Sequence, residues 1–308
     1  MCIRDSIGVI VAFCSNISIK KCVLKKLKEG MYCKKSKKVN INECNFSENI
    51  YGCLPYFSED VIIRNSNFYK NENMGVWIFV AKNITFENCL FSDNIDGAWI
   101  DTCSDLRIVK CEFNENLQGI HFYEGNNIAM NRCSILNNKY GIEFRCISNI
   151  SISNCNISNN RRYGIALSPV NNSCISDCQF YSNGENGLSI VNARNIAIKR
   201  CNIFSSGKKG ISVKESERIR IFDCKITGNS YGIYLKDSKK CAIMNNEFST
   251  NTHNAYFNNS FFNIWLGNYW DDWWGIGPKI IWGEIYFLGI TFPWFNLDFL
   301  PKSSITFI

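Results

Sequence analysis

The 308-residue sequence contains only 5 prolines and 2 histidines. It also lacks any CxxC pair, so it offers no recognisable zinc-binding motif. No apolar run reaches the roughly 18 to 20 residues that a membrane span requires. The most apolar stretch, residues 280–295, is interrupted by Glu284 and Pro293. The sequence therefore predicts no metal site, no cofactor and no transmembrane helix.

Charge is moderate in amount but uneven along the chain. Charged residues make up 20% of the sequence, and the formal net charge is +7. Nine lysines crowd one early stretch: Lys20, Lys21, Lys25, Lys26, Lys28, Lys34, Lys35, Lys37 and Lys38. Because no aromatic or glycine pattern of a nucleic-acid module accompanies them, we predict a solvated surface and no nucleic-acid partner.

The first six residues, Met1 to Ser6, match the translation of a transposon end used in preparing sequencing libraries. We therefore expect residues 1–6 to be an assembly artefact, with the natural chain beginning upstream of a break near Ile7. On that interpretation the lack of a signal peptide carries no information about location.

Glycine recurs at a regular interval through residues 7–252. Successive glycines are 22 or 23 residues apart, and the column contains Gly8, Gly30, Gly52, Gly75, Gly97, Gly119, Gly141, Gly164, Gly187, Gly210 and Gly232. A second column, mostly cysteine, stands fourteen residues after each glycine: Cys22, Cys44, Ser66, Cys89, Cys111, Cys133, Cys155, Cys178, Cys201, Cys224 and Asn246. Since this offset never changes, each one-residue insertion falls after the second column, in a predicted loop.

Each repeat holds three short segments in which apolar residues alternate. In one repeat the alternating pairs are Ile120 and Phe122, Ile128 and Met130, and Cys133 and Ile135. Period two predicts three short strands per repeat, and no stretch before residue 253 sustains helical periodicity. Three strands in 22 or 23 residues, repeated, predict the coils of a parallel β-helix.

Stacked coils explain two further columns. Asparagine stands nineteen residues after the glycine: Asn49, Asn71, Asn94, Asn116, Asn138, Asn160, Asn183, Asn229 and Asn251, with only Ser206 interrupting. Asparagine tolerates left-handed turns, and stacked amides can hydrogen-bond between coils. We expect the glycine at a position of left-handed backbone or close approach. Most of the 17 cysteines fall in one inward column, which favours free, buried thiols over disulfides.

The pattern changes after Thr252. Six of the eight tryptophans follow this residue. An open solenoid end exposes strand edges and an apolar interior, so it requires a cap. We predict that residues 253–308 form an aromatic cap, although aromatic tails can also bind sugars.

The units Gly119–Asn138 and Gly141–Asn160 resemble the repeats of NosD-like and carbohydrate-binding/sugar-hydrolase (CASH) proteins, and Asn268–Gly275 and Gly277–Lys279 resemble the tail of prokaryotic, especially archaeal, members. The resemblance covers almost the whole chain after Ser6. It implies an all-β, right-handed parallel β-helix of about eleven coils with an aromatic C-terminal cap, in an exported or cell-surface protein. Its members include lyases, hydrolases, epimerases, surface proteins and a copper-processing factor, so it specifies fold better than activity. Two histidines, five methionines and mostly inward thiols disfavour copper handling.

Outward positions are free of packing demands, so unusual residues there are informative. Two and four residues after the glycine stand Trp77, Trp99, His121 and Glu143, and Phe79, Asp101, Tyr123 and Arg145. Stacking predicts that all eight share one face. Later coils carry plainer residues there, such as Ala166, Ser168, Ser189 and Val191. Flat rings beside charged groups suit a sugar polymer.

We predict a surface or exported protein that binds a polysaccharide or glycan along this face. Trp77, Phe79, Trp99 and Arg145 are the predicted binding residues, and Asp101, His121, Tyr123 and Glu143 the candidate catalytic ones. One alternative is a polysaccharide lyase or epimerase, in which His121 and Tyr123 exchange protons and Arg145 neutralises a uronate. Asp101 and Glu143 could instead act as a hydrolase pair. A structural or adhesive solenoid is a further alternative, and the oligomeric state is unknown.

Overall fold

The computed structural model describes residues 6–303, and every regular element in that range is a β-strand. The adapter-like residues 1–5 lie outside the described range. Within it, no helix has the length and apolarity needed to cross a membrane.

The strands form two sheets. The shorter strands form a 12-stranded sheet: β3 (Val23–Lys25), β6 (Asn45–Ser47), β9 (Asn67–Tyr69), β11 (Leu90–Ser92), β13 (Glu112–Asn114), β15 (Ser134–Leu136), β17 (Asn156–Ser158), β20 (Gln179–Tyr181), β23 (Asn202–Phe204), β26 (Lys225–Thr227), β29 (Glu247–Ser249) and β32 (Tyr269–Trp270). The others form a 22-stranded sheet: β1 (Ile7–Ala12), β2 (Ser15–Lys20), β4 (Glu29–Lys34), β5 (Lys37–Asn42), β7 (Tyr51–Tyr56), β8 (Glu59–Arg64), β10 (Met74–Glu87), β12 (Asp96–Val109), β14 (Gln118–Asn131), β16 (Tyr140–Ser153), β18 (Tyr163–Leu167), β19 (Val170–Ser176), β21 (Asn186–Val191), β22 (Arg194–Lys199), β24 (Lys209–Lys214), β25 (Glu217–Phe222), β27 (Tyr231–Lys236), β28 (Ala242–Met244), β30 (His253–Asn258), β31 (Ile264–Leu266), β33 (Lys279–Phe287) and β34 (Ile290–Asp298).

Each coil contributes three consecutive strands, which pair in parallel with the same strands of the next coil. In four coils the first two strands merge into single 14-residue strands, β10, β12, β14 and β16. The predicted parallel β-helix is confirmed, but about eleven coils was too few. The 12-stranded sheet has one strand per coil, and β33 and β34 begin a thirteenth turn.

The extra coil lacks the glycine by which the others are recognised. The backbone carbonyl oxygen of Asn254 packs against Gly232. In earlier coils this place is taken by the carbonyl oxygen of the next column glycine. The helix therefore continues beyond Thr252 through β30, β31 and β32, each paired with the coil before it.

The column glycines permit close approach between coils. A Cβ on Gly119 would lie 2.6 Å from the carbonyl oxygen of Gly141, which is too close for any side chain. Left-handed backbone occurs instead at the corners of each coil, for example at Glu124, Asn127 and Arg132. Of the two roles expected for the column glycines, close approach is therefore the one observed.

The interior consists of the predicted columns. Cys133 is 1% exposed, and no disulfide forms among the cysteines of residues 6–303. Burial raises the pKa of inward thiols, to about 12 for Cys103 and about 11 for Cys241, which keeps them protonated near neutral pH. Asn138 shows the amide ladder: its Oδ1 accepts from the backbone N–H of Asn116 at 2.9 Å, and its Nδ2 donates to Asn160 Oδ1 at 3.1 Å.

The C-terminal cap is an antiparallel hairpin of β33 and β34 laid over the last coil. Trp265 and Trp270 are each 2% exposed beneath it, and the Trp270 ring stacks on Phe248 with centroids 4.4 Å apart. Trp274 and Trp282, in contrast, project into solvent. The tail therefore caps the helix with part of its aromatic content and exposes the rest.

Candidate functional site

The long strands β10, β12, β14 and β16 carry the eight predicted site residues on four consecutive coils. One column contains Trp77, Trp99, His121 and Glu143, and the other contains Phe79, Asp101, Tyr123 and Arg145. Neighbours within a column are one strand spacing apart, about 4.8 Å. All eight therefore lie together on one outward side, here called the Trp77–Arg145 face.

Aromatic rings extend this face by two coils toward the N-terminus. The ring of Tyr56 lies edge-on to Trp77 with centroids 5.3 Å apart, and Tyr32 lies 5.6 Å from Tyr56. At the other end, Trp99 packs on His121 at 4.2 Å. Rings thus occupy five consecutive coils, from Tyr32 to His121.

His121 is the most enclosed of the eight residues, at 8% exposure. Neither of its ring nitrogens has a hydrogen-bond partner among the described residues. Burial lowers the pKa of His121 below its ordinary value, while the Glu143 carboxylate acts in the opposite direction. A neutral imidazole with two free nitrogens can accept a proton or bind a hydroxyl group.

Glu143 lies at the centre of a polar network. The Arg145 guanidinium is 2.7 Å from Glu143 Oε1, and Gln118 Nε2 donates to Glu143 Oε2 at 3.2 Å. Burial and this carboxylate together raise the pKa of the Tyr163 hydroxyl well above its usual range. Because Arg145 and Gln118 already engage both oxygens of Glu143, the geometry disfavours Glu143 as the proton donor of a hydrolase pair.

Asp101 and Tyr123 occupy the outer edge of the face. Tyr123 is 40% exposed, and Asp101 Oδ1 accepts a hydrogen bond of 2.7 Å from Thr102 Oγ1. Asp101 lies two coils from Glu143, so their backbones are about 10 Å apart. Tyr123 is open to a ligand, whereas His121 beside it is enclosed.

A third outward column adds residues that the sequence interpretation missed. The residue before each glycine also lies on this face: Tyr51, Met74, Asp96, Gln118 and Tyr140 are successive members. Asp96 is 7% exposed, and burial raises its pKa to about 6. The sequence contains the pattern that would have identified this third column, because the residue preceding the glycine is aromatic or polar in most repeats.

A depression of about 840 Å³ lies on the neighbouring face of the coil rather than over these rings. Small residues such as Cys174 and Ala197 form part of its floor, and Arg218 and Lys240 line its edge. Both cations lie within 3.7 Å of Glu217. Since Glu217 neutralises part of this charge and the rings lie elsewhere, the Trp77–Arg145 face is the stronger candidate.

The profile of the family described as "Periplasmic copper-binding protein (NosD)" matches residues 118–275, slightly more than half of the chain. The chain belongs to the NosD family. A second profile, described as "Right handed beta helix region", matches residues 7–146 of this NosD-family chain. No curated protein sequence matches it.

Copper, which the family description mentions, does not fit the residues present. Within residues 6–303, no three histidine, cysteine, aspartate or glutamate side chains converge as metal ligands. The inward thiols are buried between coils, and His121 and His253 lie six coils apart in the glycine-based register. We therefore derive no chemistry through a metal.

Solved structures similar to this NosD-family chain share its fold at low sequence identity. The "periplasmic alginate epimerase AlgG" matches with a TM-score of 0.54 and 12% identity, over 83% of this chain and 74% of that one. The "Azotobacter vinelandii Mannuronan C-5 epimerase AlgE6 A-module" matches with a TM-score of 0.55 and 12% identity, over 84% of each chain. These likenesses establish the parallel β-helix alone.

Proposed function

We propose that this NosD-family β-helix binds a polysaccharide along the Trp77–Arg145 face. The observation that carries the proposal is the run of outward rings in five consecutive coils, from Tyr32 to His121, next to charged side chains. Ring faces pack against the C–H faces of sugars, and charged groups bind hydroxyls or carboxylates. The two similar solved structures are an alginate epimerase and a mannuronan C-5 epimerase, which supports a polysaccharide as the class of ligand.

We also propose that the protein is exported or displayed at the cell surface. The NosD family is described as periplasmic, and so is the alginate epimerase AlgG, which shares the fold. A polysaccharide ligand outside the cytoplasm accords with that location.

Wild-type protein is expected to be retained on at least one member of a panel of neutral and uronate-rich polysaccharides. Trp99→Ala should weaken that retention about tenfold or more, because a central ring of the platform is lost. Affinity electrophoresis in gels containing each polymer measures the effect.

Tyr181→Ala is the matched control. Tyr181 is also an outward ring stacked on a neighbour, Phe204, but it lies in the 12-stranded sheet on another side of the coil. Equal losses in Tyr181→Ala and Trp99→Ala would show that binding does not depend on the Trp77–Arg145 face and would overturn the proposal. No retention of the wild type on any polymer would overturn it in favour of a structural solenoid.

A lyase or epimerase acting on the same face is the second candidate, favoured by the enclosed, unpartnered imidazole of His121. In this interpretation His121 takes a proton from the sugar and Tyr123, two residues on, returns or donates one. Arg145 would have to leave Glu143 to neutralise a uronate. Catalysis would be established if wild type forms products and His121→Gln forms none but is still retained on the polymer. Retention of wild type without any product would indicate binding without catalysis.

A further inference from the structure

A second aromatic cluster lies on the same outward side, several coils beyond the Trp77–Arg145 face. The column that contains His121 continues through Glu143, Ala166, Ser189, Ser212, Tyr234 and Tyr256. Four coil steps separate Glu143 from Tyr234, which corresponds to about 19 Å at the ordinary strand spacing. The three residues between them are alanine or serine. In the column before the glycines, Tyr140 and Tyr163 lie with ring centroids 5.3 Å apart, and Asn186 and Lys209 then separate them from Tyr231 by two coils without rings.

Four rings form this second region, here called the Tyr231–Tyr256 cluster: Tyr231, Tyr234, His253 and Tyr256. Tyr234 and Tyr256 stack in successive coils with centroids 5.9 Å apart and ring planes 11° apart. Tyr231 stacks on His253 at 4.8 Å. The three tyrosines are half-buried and His253 is exposed. Their stacking fixes the rings as a platform similar to that of the first face.

Positive charge surrounds this cluster. The Lys209 ammonium lies 3.7 Å from the centroid of the Tyr234 ring. Lys214 pairs in register with Lys236, two residues beyond Tyr234 on the same side of the strands. None of these three lysines has an ion-pair partner among residues 6–303. Two carboxylates border the cluster: Glu284 next to Tyr256, and Asp237, which acts on Tyr234.

We propose that the Tyr231–Tyr256 cluster is a second subsite for the polysaccharide bound by the Trp77–Arg145 face, and that this polymer is acidic. The inference rests on the proposed function. Rings at both ends would contact sugar faces, and the unpaired lysines would bind carboxylate or sulfate groups on the polymer. The chain of sugars would lie parallel to the solenoid axis over Ala166, Ser189 and Ser212.

Two linked subsites make affinity depend on polymer length. An oligomer shorter than the separation of about 19 Å contacts one platform at a time. A longer oligomer contacts both, and its second contact forms at a high effective concentration, so affinity should rise on the order of 100-fold. A single platform would instead give affinity that levels off once its own rings are covered.

The test measures dissociation constants by calorimetry for oligouronates and neutral β-glucan oligomers, graded from below to above the length of about 19 Å. Four variants are compared with wild type: Tyr234→Ala/Tyr256→Ala, Lys209→Gln/Lys214→Gln, Trp99→Ala and Tyr181→Ala. The tyrosine variant should abolish the rise with length and leave the long oligomers with the affinity that the Trp77–Arg145 face alone provides. The lysine variant, which retains every ring, should weaken binding of the long oligouronates about tenfold or more. Tyr181→Ala should behave as wild type.

A rise with length that persists in both double variants would overturn the second subsite, while loss of binding in Trp99→Ala would still uphold the first. Equal affinity for uronate and neutral oligomers would overturn the acidic class of ligand. If Trp99→Ala has no effect on any oligomer, the proposed function itself fails, and the two failures are thereby distinguished.

Discussion

Asp298→Ala is expected to unfold the last coil and to lower its free energy of unfolding by about 4 kcal/mol or more, because it removes a buried charged acceptor with several donors. Asp298 is fully buried. Its Oδ1 accepts from the backbone N–H groups of Gly267 and Leu300, at 3.0 and 3.2 Å. Its Oδ2 accepts from Asn268 N–H, Asn268 Nδ2 and Trp270 Nε1, at 3.0, 2.8 and 3.1 Å.

Asp298 also ends the cysteine column, which beyond Cys224 continues as two stacked amides, Asn246 and Asn268. Asn246 N–H donates to Asn268 Oδ1, and Asn268 N–H donates to Asp298 Oδ2 in the same way. A carboxylate suits the final position because it only accepts hydrogen bonds. An asparagine there would carry an N–H group that needs an acceptor in a following coil. Without Asp298, these donors would remain buried and unpaired, and the hairpin would lose its attachment.

Denaturant unfolding followed by tryptophan fluorescence measures this effect, since six of the eight tryptophans lie beyond Thr252. A solenoid can lose an end coil before the rest, so the C-terminal transition should separate from the remainder. Asp272→Ala is the control: its carboxylate pairs with Lys279 at 2.7 Å but is half exposed, and such pairs contribute about 0–1 kcal/mol. Equal shifts in the two variants would show that Asp298 has no special role.

The interior of the coil was predictable because every coil repeats the same burial. A residue such as Ile120, Cys133 or Asn138 has equivalents one repeat before and after, so each column gave eleven observations of a single position. The twelfth coil was not found because Asn254 replaces the glycine that marked the others. The role of Asp298 could not be predicted, because it contacts the end of the cysteine column from the last residue of β34, thirty residues beyond Asn268.

The candidate site was predictable only in part. The spacing from the column glycines predicted that the eight residues of the Trp77–Arg145 face form two columns, and the strands pair in that register. The pairing of Arg145 with Glu143 depends on side-chain conformation, which spacing does not specify. Later coils carry small residues in this column at Ala166 and Ser189, as expected, but Tyr234 and Tyr256 continue it with aromatic rings beyond them.

Cys133→Asp is expected to destabilise the central coils by about 4 kcal/mol or more, because it buries an unpaired charge. The Cys133 thiol is 1% exposed and points into the stack, with Sγ 3.5 Å from the carbonyl oxygen of Ile108 and 3.4 Å from that of Asn131. A carboxylate there would face these two carbonyl oxygens, which repel it. An unchanged melting temperature would contradict the inward position of the whole cysteine column.

Cys133→Ser is the matched control for that substitution. Ser66 occupies the same column, where its hydroxyl donates to the carbonyl of Arg64 at 2.7 Å and accepts from the Cys44 N–H at 3.1 Å. A hydroxyl is therefore compatible with this position, and Cys133→Ser should cost far less than Cys133→Asp.

The pH dependence identifies charge, rather than size, as the cause of the loss in Cys133→Asp. Burial raises the pKa of the introduced carboxyl above its unfolded value of about 3.9. The unfolded chain therefore holds fewer protons than the folded one between these two pKa values, so stability falls as pH rises through that interval. The deficit relative to Cys133→Ser should shrink as pH is lowered toward about 4, because protonation removes the buried charge. A difference in stability between the two variants that stays constant with pH would mean that the introduced carboxyl has reached solvent or that only packing is disturbed. Buried charge would then not be the cause of the loss in Cys133→Asp.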